Sequence, residues 1–147
     1  MLGVRRKERG FTLIEVLIVI VIIAILAMIV IPRLAAVGRR GKEASLRADL
    51  KQIRDAVERF EANTAAWPPT LGDLMAANGA AISADADGRG LSVDRSGYEG
   101  PYLRTGDSGL PVDPFTAAAD WNYDSATGQV HSRSTLTALN GTAYSTW

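Results

Sequence analysis

Three groups of residues have types and spacings that could do chemistry. The first is Gly10-Phe11-Thr12-Leu13-Ile14-Glu15, where one carboxylate, Glu15, interrupts a run that is otherwise apolar or small from Phe11 to Ile31. A charge in an apolar layer is costly, and its place near a helix start softens the cost through the helix dipole and the nearby interface. It reads either as a harmless interfacial glutamate or as a charge awaiting a partner inside an assembly, and the second reading is preferred. Hydrolysis after Gly10 would create a positive amine on Phe11, about one helical turn from Glu15. Opposite charges in a low dielectric attract strongly, and each alone is unfavourable. The second group is Asp85-Ala86-Asp87-Gly88, half of a calcium loop; Ser96 stands where an EF-hand has its closing glutamate, so a solvated turn is preferred over calcium. The third is Asp113, Asp120 and Asp124, which read as turn residues.

Several chemistries have no residues to carry them. The chain of 147 residues has no cysteine, which removes disulfides and thiolate metal sites. Its one histidine, His131, falls on an expected strand with no partner by spacing. A nucleophile with an oriented base is missing, so the chain reads as a non-enzyme with no assigned catalytic or metal residues. Of its sixteen basic and sixteen acidic side chains, Met1–Gly10 holds four basic and one acidic, leaving twelve basic and fifteen acidic beyond. That balance gives no electrostatic case for nucleic-acid binding.

The element that must position Glu15 is the apolar run itself. Phe11–Ile31 is 21 residues, just enough for a helix to cross a bilayer core of about 30 Å. It is longer than the ~7–15-residue core of a cleaved secretory signal, and the small residue precedes it rather than closing it. The basic segment Arg5–Arg9 on its N-terminal side predicts a cytoplasmic N-terminus and a translocated C-terminal part. Pro32 follows; it favours a kink or break, and Gly38 and Gly41 weaken the helix further. From Lys42 to Ala62 the helical pattern returns, with Leu46, Leu50, Ile53, Val57 and Phe60 on one stripe and Asp55–Arg59 as an i,i+4 pair off it. This stripe is expected to receive a globular head rather than to form a two-heptad coiled coil.

Gly10-Phe11-Thr12-Leu13-Ile14-Glu15-Val16, followed by the long apolar helix, closely resembles the class III signal of type IV pilins and type II secretion pseudopilins. The resemblance implies cleavage by a prepilin peptidase after Gly10, N-methylation of Phe11, and a role for Glu15 in assembly by neutralising a neighbour's amino-terminus. It also implies local unwinding near Pro32 in the filament. Beyond the helix, Trp67-Pro68-Pro69 with a short helix capped by Thr70 and Asp73 and reaching about Asn78 is similar to the major pseudopilin. So are Gly97–Leu103 and Leu110-Pro111-Val112-Asp113-Pro114-Phe115, where prolines fix φ, the aspartate takes turn amides and the aromatic anchors the loop. Ala80–Gly97 reads as a surface loop. Asp120–Asp124 and Gln129–Arg133, flanking Ser125–Gly128, read as a β-hairpin with Trp121 and Tyr123 on one face, with room for one more strand. Ser134–Trp147 is polar with few apolar anchors, and nothing in it, Trp147 included, predicts docking. Major pseudopilins end in an aspartate- and glycine-rich calcium loop; no such run follows Gly128 here.

The expected fold class is α+β and pilin-like: a leader at 1–10, an apolar transmembrane and assembly helix at 11–31, an amphipathic spine at 32–63, and a head at 64–147 with a short antiparallel sheet. The function this implies is a subunit of a helical filament, foremost the major pseudopilin driving protein export. The alternative is a type IV pilus pilin serving adhesion, twitching or DNA uptake; the absence of cysteine disfavours the branch with a C-terminal disulfide loop. The implied partners are further copies of the chain, the peptidase, an inner-membrane assembly platform, minor pseudopilins or pilins, and the membrane before assembly. The implied location is the inner membrane with the head periplasmic, then a periplasmic pseudopilus or extracellular pilus.

Overall fold

The structure is a computed structural model that describes residues 10–104 and 109–147; the basic segment before Gly10 lies outside it. One helix, α1 (Leu13–Thr64), spans 52 residues. Four short 3-10 segments follow at Leu71–Met75, Gly79–Ala81, Arg95–Gly97 and Tyr144–Thr146. The only regular strands among the described residues are β1 (Asn122–Asp124) and β2 (Gln129–His131). They pair antiparallel with Asn122 opposite His131, Tyr123 opposite Val130 and Asp124 opposite Gln129. The fold is therefore α+β, as expected, but the sheet stops at two strands; isolated bridges at Ala86–Ser92, Asp113–Ala118 and Thr137–Ala143 stand where a further strand could have formed.

The chain divides into two compact units at the Arg39–Arg40 bond. In the first, α1 runs through Pro32 without a break, so the expected interruption is absent from this state of the chain. Proline in a helix interior removes one amide donor and costs ~3 kcal/mol or more, which makes this turn a weak point although it is helical here. The large apolar side chains from Phe11 to Ile31 are exposed, and this helix is long and apolar enough to cross a membrane.

In the second unit, all five stripe residues Leu46, Leu50, Ile53, Val57 and Phe60 are buried, as the spacing requires. Against them pack Leu71, Leu74, Ile82, Val93, Leu103, Trp121, Val130 and Tyr144. Lys51, not Arg59, is the partner of Asp55, at 2.8 Å one turn earlier. That orientation puts the lysine N-terminal to the carboxylate and leaves both groups largely exposed, so it contributes little. The short helix after Pro69 is a five-residue 3-10 turn that ends at Met75 rather than Asn78. Asp73 explains its tightness: one oxygen accepts the Thr70 amide and hydroxyl, each at 2.8 Å, and both oxygens accept from Ser83, each at 2.7 Å. The expected loop from Ala80 to Gly97 is more structured than its composition suggests, because Ile82, Asp87 and Val93 are buried in it.

The two family landmarks act as clamps. Tyr98 and Tyr102 pack edge-on against Phe60 and against each other, with ring centroids 5.8, 5.9 and 5.1 Å apart. The Tyr98 hydroxyl donates to the Ala76 carbonyl at 2.7 Å, and burial, with Tyr102 and Asp73 nearby, pushes its pKa up to about 12. The amides of Tyr102 and Leu103 both donate to the Leu74 carbonyl. In Leu110–Phe115, buried Asp113 accepts the Phe115 amide at 2.7 Å and the Ser132 hydroxyl, and the Phe115 ring stacks on Tyr144 at 4.2 Å. Trp121 closes the segment by donating its indole N–H to the Pro111 carbonyl at 2.8 Å.

Candidate functional site

The residues that the N-terminal spacing singles out sit at the start of α1. Gly10 and Phe11 precede the helix in an irregular, exposed stretch, and Phe11 is 85 % exposed. Thr12 is the residue before the first helical position, and it forms a reciprocal cap with Glu15. The Thr12 amide and hydroxyl both donate to Glu15 Oε2 at 2.9 Å, while the Glu15 amide donates to Thr12 Oγ1 at 3.3 Å. This is a capping box, in which a hydroxyl and a carboxylate three residues apart satisfy helix-start amides that have no partner within the helix. The Thr-x-x-Glu spacing was readable, but Thr12 was missed because Glu15 was weighed as an interfacial charge or as one awaiting a neighbouring subunit, and not against a hydroxyl on its own first turn. Both Thr12 donors fall on one oxygen, so Glu15 Oε1 is not committed to Thr12.

Gly10 has no structural reason to be glycine. A Cβ built there meets nothing within 4 Å, and its φ is not in the left-handed region. A small residue at this place therefore answers to something other than the fold. Pro32 lies on the same helix but is not brought near Glu15 in sequence or along the axis; sixteen residues of helix lie between them.

The remaining candidates are held by the head's own groups. Asp87 is buried, and its oxygens receive the amides of Trp67 at 3.2 Å, Arg89 at 2.9 Å and Leu91 at 2.9 Å, together with the Arg89 guanidinium at 2.7 Å. Burial alone would raise its pKa, but Arg89 and these amides outweigh burial and hold it below the usual range. Asp85 pairs with Arg95 at 2.7 Å. Asp120 accepts the Thr116 hydroxyl at 2.8 Å, and Asp124 accepts the Ala126 amide and Thr127 hydroxyl, each at 2.9 Å. Calcium needs six to eight oxygens converging at about 2.3–2.6 Å, and among the described residues no three carboxylate or imidazole side chains converge. The described carboxylates are thus tied to the head's own groups rather than gathered as the calcium loop that the resemblance implies would gather them. His131 Nδ1 lies 2.8 Å from the Trp147 carbonyl oxygen, which places the proton on Nδ1.

Comparison with known proteins bears on most of the chain. Residues 5–31 match the prokaryotic N-terminal methylation motif. The chain is 33 % identical over 124 residues to type II secretion system core protein G of Pseudomonas aeruginosa, covering 79 % of this chain and 87 % of that one. It is 30 % identical over 122 residues to the protein of the same name from Vibrio cholerae, covering 78 % and 83 %. The corresponding Klebsiella pneumoniae protein is 31 % identical over 110 residues, covering 75 % and 71 %. No solved structure gives a significant match.

Proposed function

The chain belongs to the family of type II secretion system core protein G, and we propose that it is the major, non-catalytic subunit of a helical pseudopilus that drives protein export. In this reading a prepilin peptidase hydrolyses the amide after Gly10 and methylates the amine released on Phe11. Exposure of that stretch and the open space around Gly10 support it, since the fold does not require glycine there.

The observation that carries the reading is one carboxylate capping an apolar helix whose side chains are otherwise unpartnered. Before assembly Thr12 holds Glu15, and the bilayer covers the apolar helix. In the filament, the Phe11 amine of a neighbouring copy takes Glu15 Oε1, converting two isolated charges into a pair in a low-dielectric setting. Apolar helices lack strong preferences for depth and register against one another, and this pair supplies one. The head lies on the periplasmic side, the assembly platform and minor pseudopilins meet the subunit at the inner membrane, and Pro32 marks where α1 unwinds on incorporation.

Two measurements test this. Mass spectrometry of the protein from membranes is expected to find a chain beginning at methylated Phe11; an intact Met1 would sink the reading. Glu15→Ala is expected to insert in the membrane at the wild-type level and to yield at least ~10-fold fewer filaments, since one lost pairing of this kind exceeds a tenfold change in an equilibrium. Filaments at the wild-type level from that variant would overturn it.

A further inference from the structure

The segment 134–147, which by composition has little to hold it, is fastened to α1 from two places. At one, Glu43 Oε1 accepts the Leu139 amide at 2.7 Å and the Tyr144 hydroxyl at 2.8 Å. At the other, the Arg54 guanidinium donates to the Val130 carbonyl at 2.6 Å and to the Trp147 carbonyl. Between them Arg47 lies over the Trp147 ring, 4.4 Å from its centre. Glu43, Arg47 and Arg54 are spaced by four and seven, so they form one stripe beside the apolar one. The segment also folds on itself: Ala138 donates to Thr142 at 2.7 Å, Tyr144 to Leu136 at 3.1 Å, and the Trp147 indole to the Thr142 hydroxyl at 2.8 Å. Tyr144 is fully buried between Phe115 and Trp147.

We propose that this head closes its C-terminal segment without calcium, with the Glu43–Arg47–Arg54 stripe of the spine helix doing what an ion does in a calcium-binding loop. The expectation of calcium rests on the family reading; the clasp rests on contacts within this chain. Calcium stabilises a C-terminal loop by drawing several oxygens to one point. Here the carboxylates of Asp87, Asp113, Asp120 and Asp124 already accept from amides, hydroxyls or Arg89, and the segment's fixed points are a carboxylate and a guanidinium on a helix.

The test uses the full chain in detergent micelles, unfolded thermally with tryptophan fluorescence as the readout. Calcium chloride is compared with chelator, at ~10 mM calcium, ten to a hundred times the Kd of extracellular calcium modules. The two midpoints are expected to agree within ~1 °C, whereas an ion bound at that saturation would raise the midpoint by roughly 4–8 °C. Such a rise would overturn the proposal. In parallel, thermolysin cutting within 134–147 is measured for Glu43→Ala and for Tyr144→Phe, which keeps the ring and loses only the hydroxyl. Both are expected to be cut faster in calcium and in chelator alike, Glu43→Ala by ~10-fold or more, as the loss of a charge-assisted hydrogen bond implies. Unchanged cutting in both variants, or rescue by calcium, would overturn the clasp. Filaments from the same preparation report separately on the subunit reading: filaments with calcium-dependent melting sink the clasp alone, and calcium-insensitive melting without filaments sinks the subunit reading alone.

Discussion

Asp87 shows how much one buried carboxylate organises in this head. It ties Trp67 after the helix, Arg89 in its own turn and Leu91 across that turn to a single point. Replacing it with alanine leaves three amides and a guanidinium without their acceptor, so Asp87→Ala is expected to cost about 2–4 kcal/mol of stability, measured by urea unfolding at pH 7. The pH dependence follows from the direction of its shift. A carboxylate whose folded pKa is depressed contributes stability above the ordinary value of 3.8 and loses it as pH falls through the folded value. Asp94, held by the Ser96 hydroxyl and amide, and Asp124, held by the Ala126 amide and Thr127 hydroxyl, are shifted the same way. Asp49 opposes them: burial raises its pKa, with Ser45 pulling it back and Asp113 adding to the rise. Three against one, the unfolding midpoint is expected to drop steadily below about pH 4, and less steeply in Asp87→Asn. A flat profile in the wild type would contradict this. The acidic spacing at Asp85 and Asp87 was legible in the sequence, but as a solvated turn with the look of half a calcium loop, whereas Asp87 is buried. What turned it into a structural knot was Arg89 two residues on, and a spacing argument built on acids alone gives a nearby base no weight.

Elements were legible in proportion to their periodicity. The stripe from Leu46 to Phe60 needed only a helical repeat, and every residue of it is buried. The hairpin was legible from its alternation around Gly128, and that glycine shows why the turn cannot be built otherwise. Its φ is +69°, and an added Cβ would lie 2.7 Å from the Trp67 ring. Gly128→Ala therefore meets both backbone strain of about 1–2 kcal/mol and an overpacking cost of about 1–3 kcal/mol. Its thermal midpoint is expected to fall by several degrees, with altered Trp67 fluorescence. Gly38→Ala is the contrast, since a Cβ there meets nothing within 4 Å and alanine favours the helix by up to ~1 kcal/mol; its midpoint is expected to stay level or rise. The C-terminal segment was not legible, because its anchors are single groups far apart in sequence. Tyr144 finds Glu43 across 101 positions and Trp147 finds Arg54 across 93, and no local pattern announces a contact of that separation. The 3-10 turn at Leu71 was read one turn too long for a related reason: the Asp73–Ser83 bonds that hold it come from ten residues downstream.

At the scale of the molecule, the same helix serves two solvents. Every buried hydrophobic residue of the core among the described residues lies at Leu46 or beyond, while the large apolar side chains from Phe11 to Ile31, and those of Leu34 and Val37, are exposed. The division between Arg39 and Arg40 falls between these regimes. If the core is complete on its C-terminal side, the part beginning at Arg40 should not need the apolar run to hold its shape. A fragment of residues 40–147 loses about seven turns of helix, residues 13–39, from which no described side chain enters that core. It keeps Glu43, Arg47 and Arg54, and with them the fastening of the C-terminal segment. Such a fragment is expected to stay in solution without detergent and to give the near-UV circular dichroism of the full chain. Its thermal midpoint should lie within about 4 °C of the full chain's, the shift that about 1 kcal/mol makes in a chain of this size. It is also expected to be absent from filaments, because Phe11 and Glu15 have gone with the removed segment. Aggregation of the fragment, or a loss of its near-UV signal, would mean that the apolar helix contributes to the head's stability, and the division of labour along α1 would have to be redrawn.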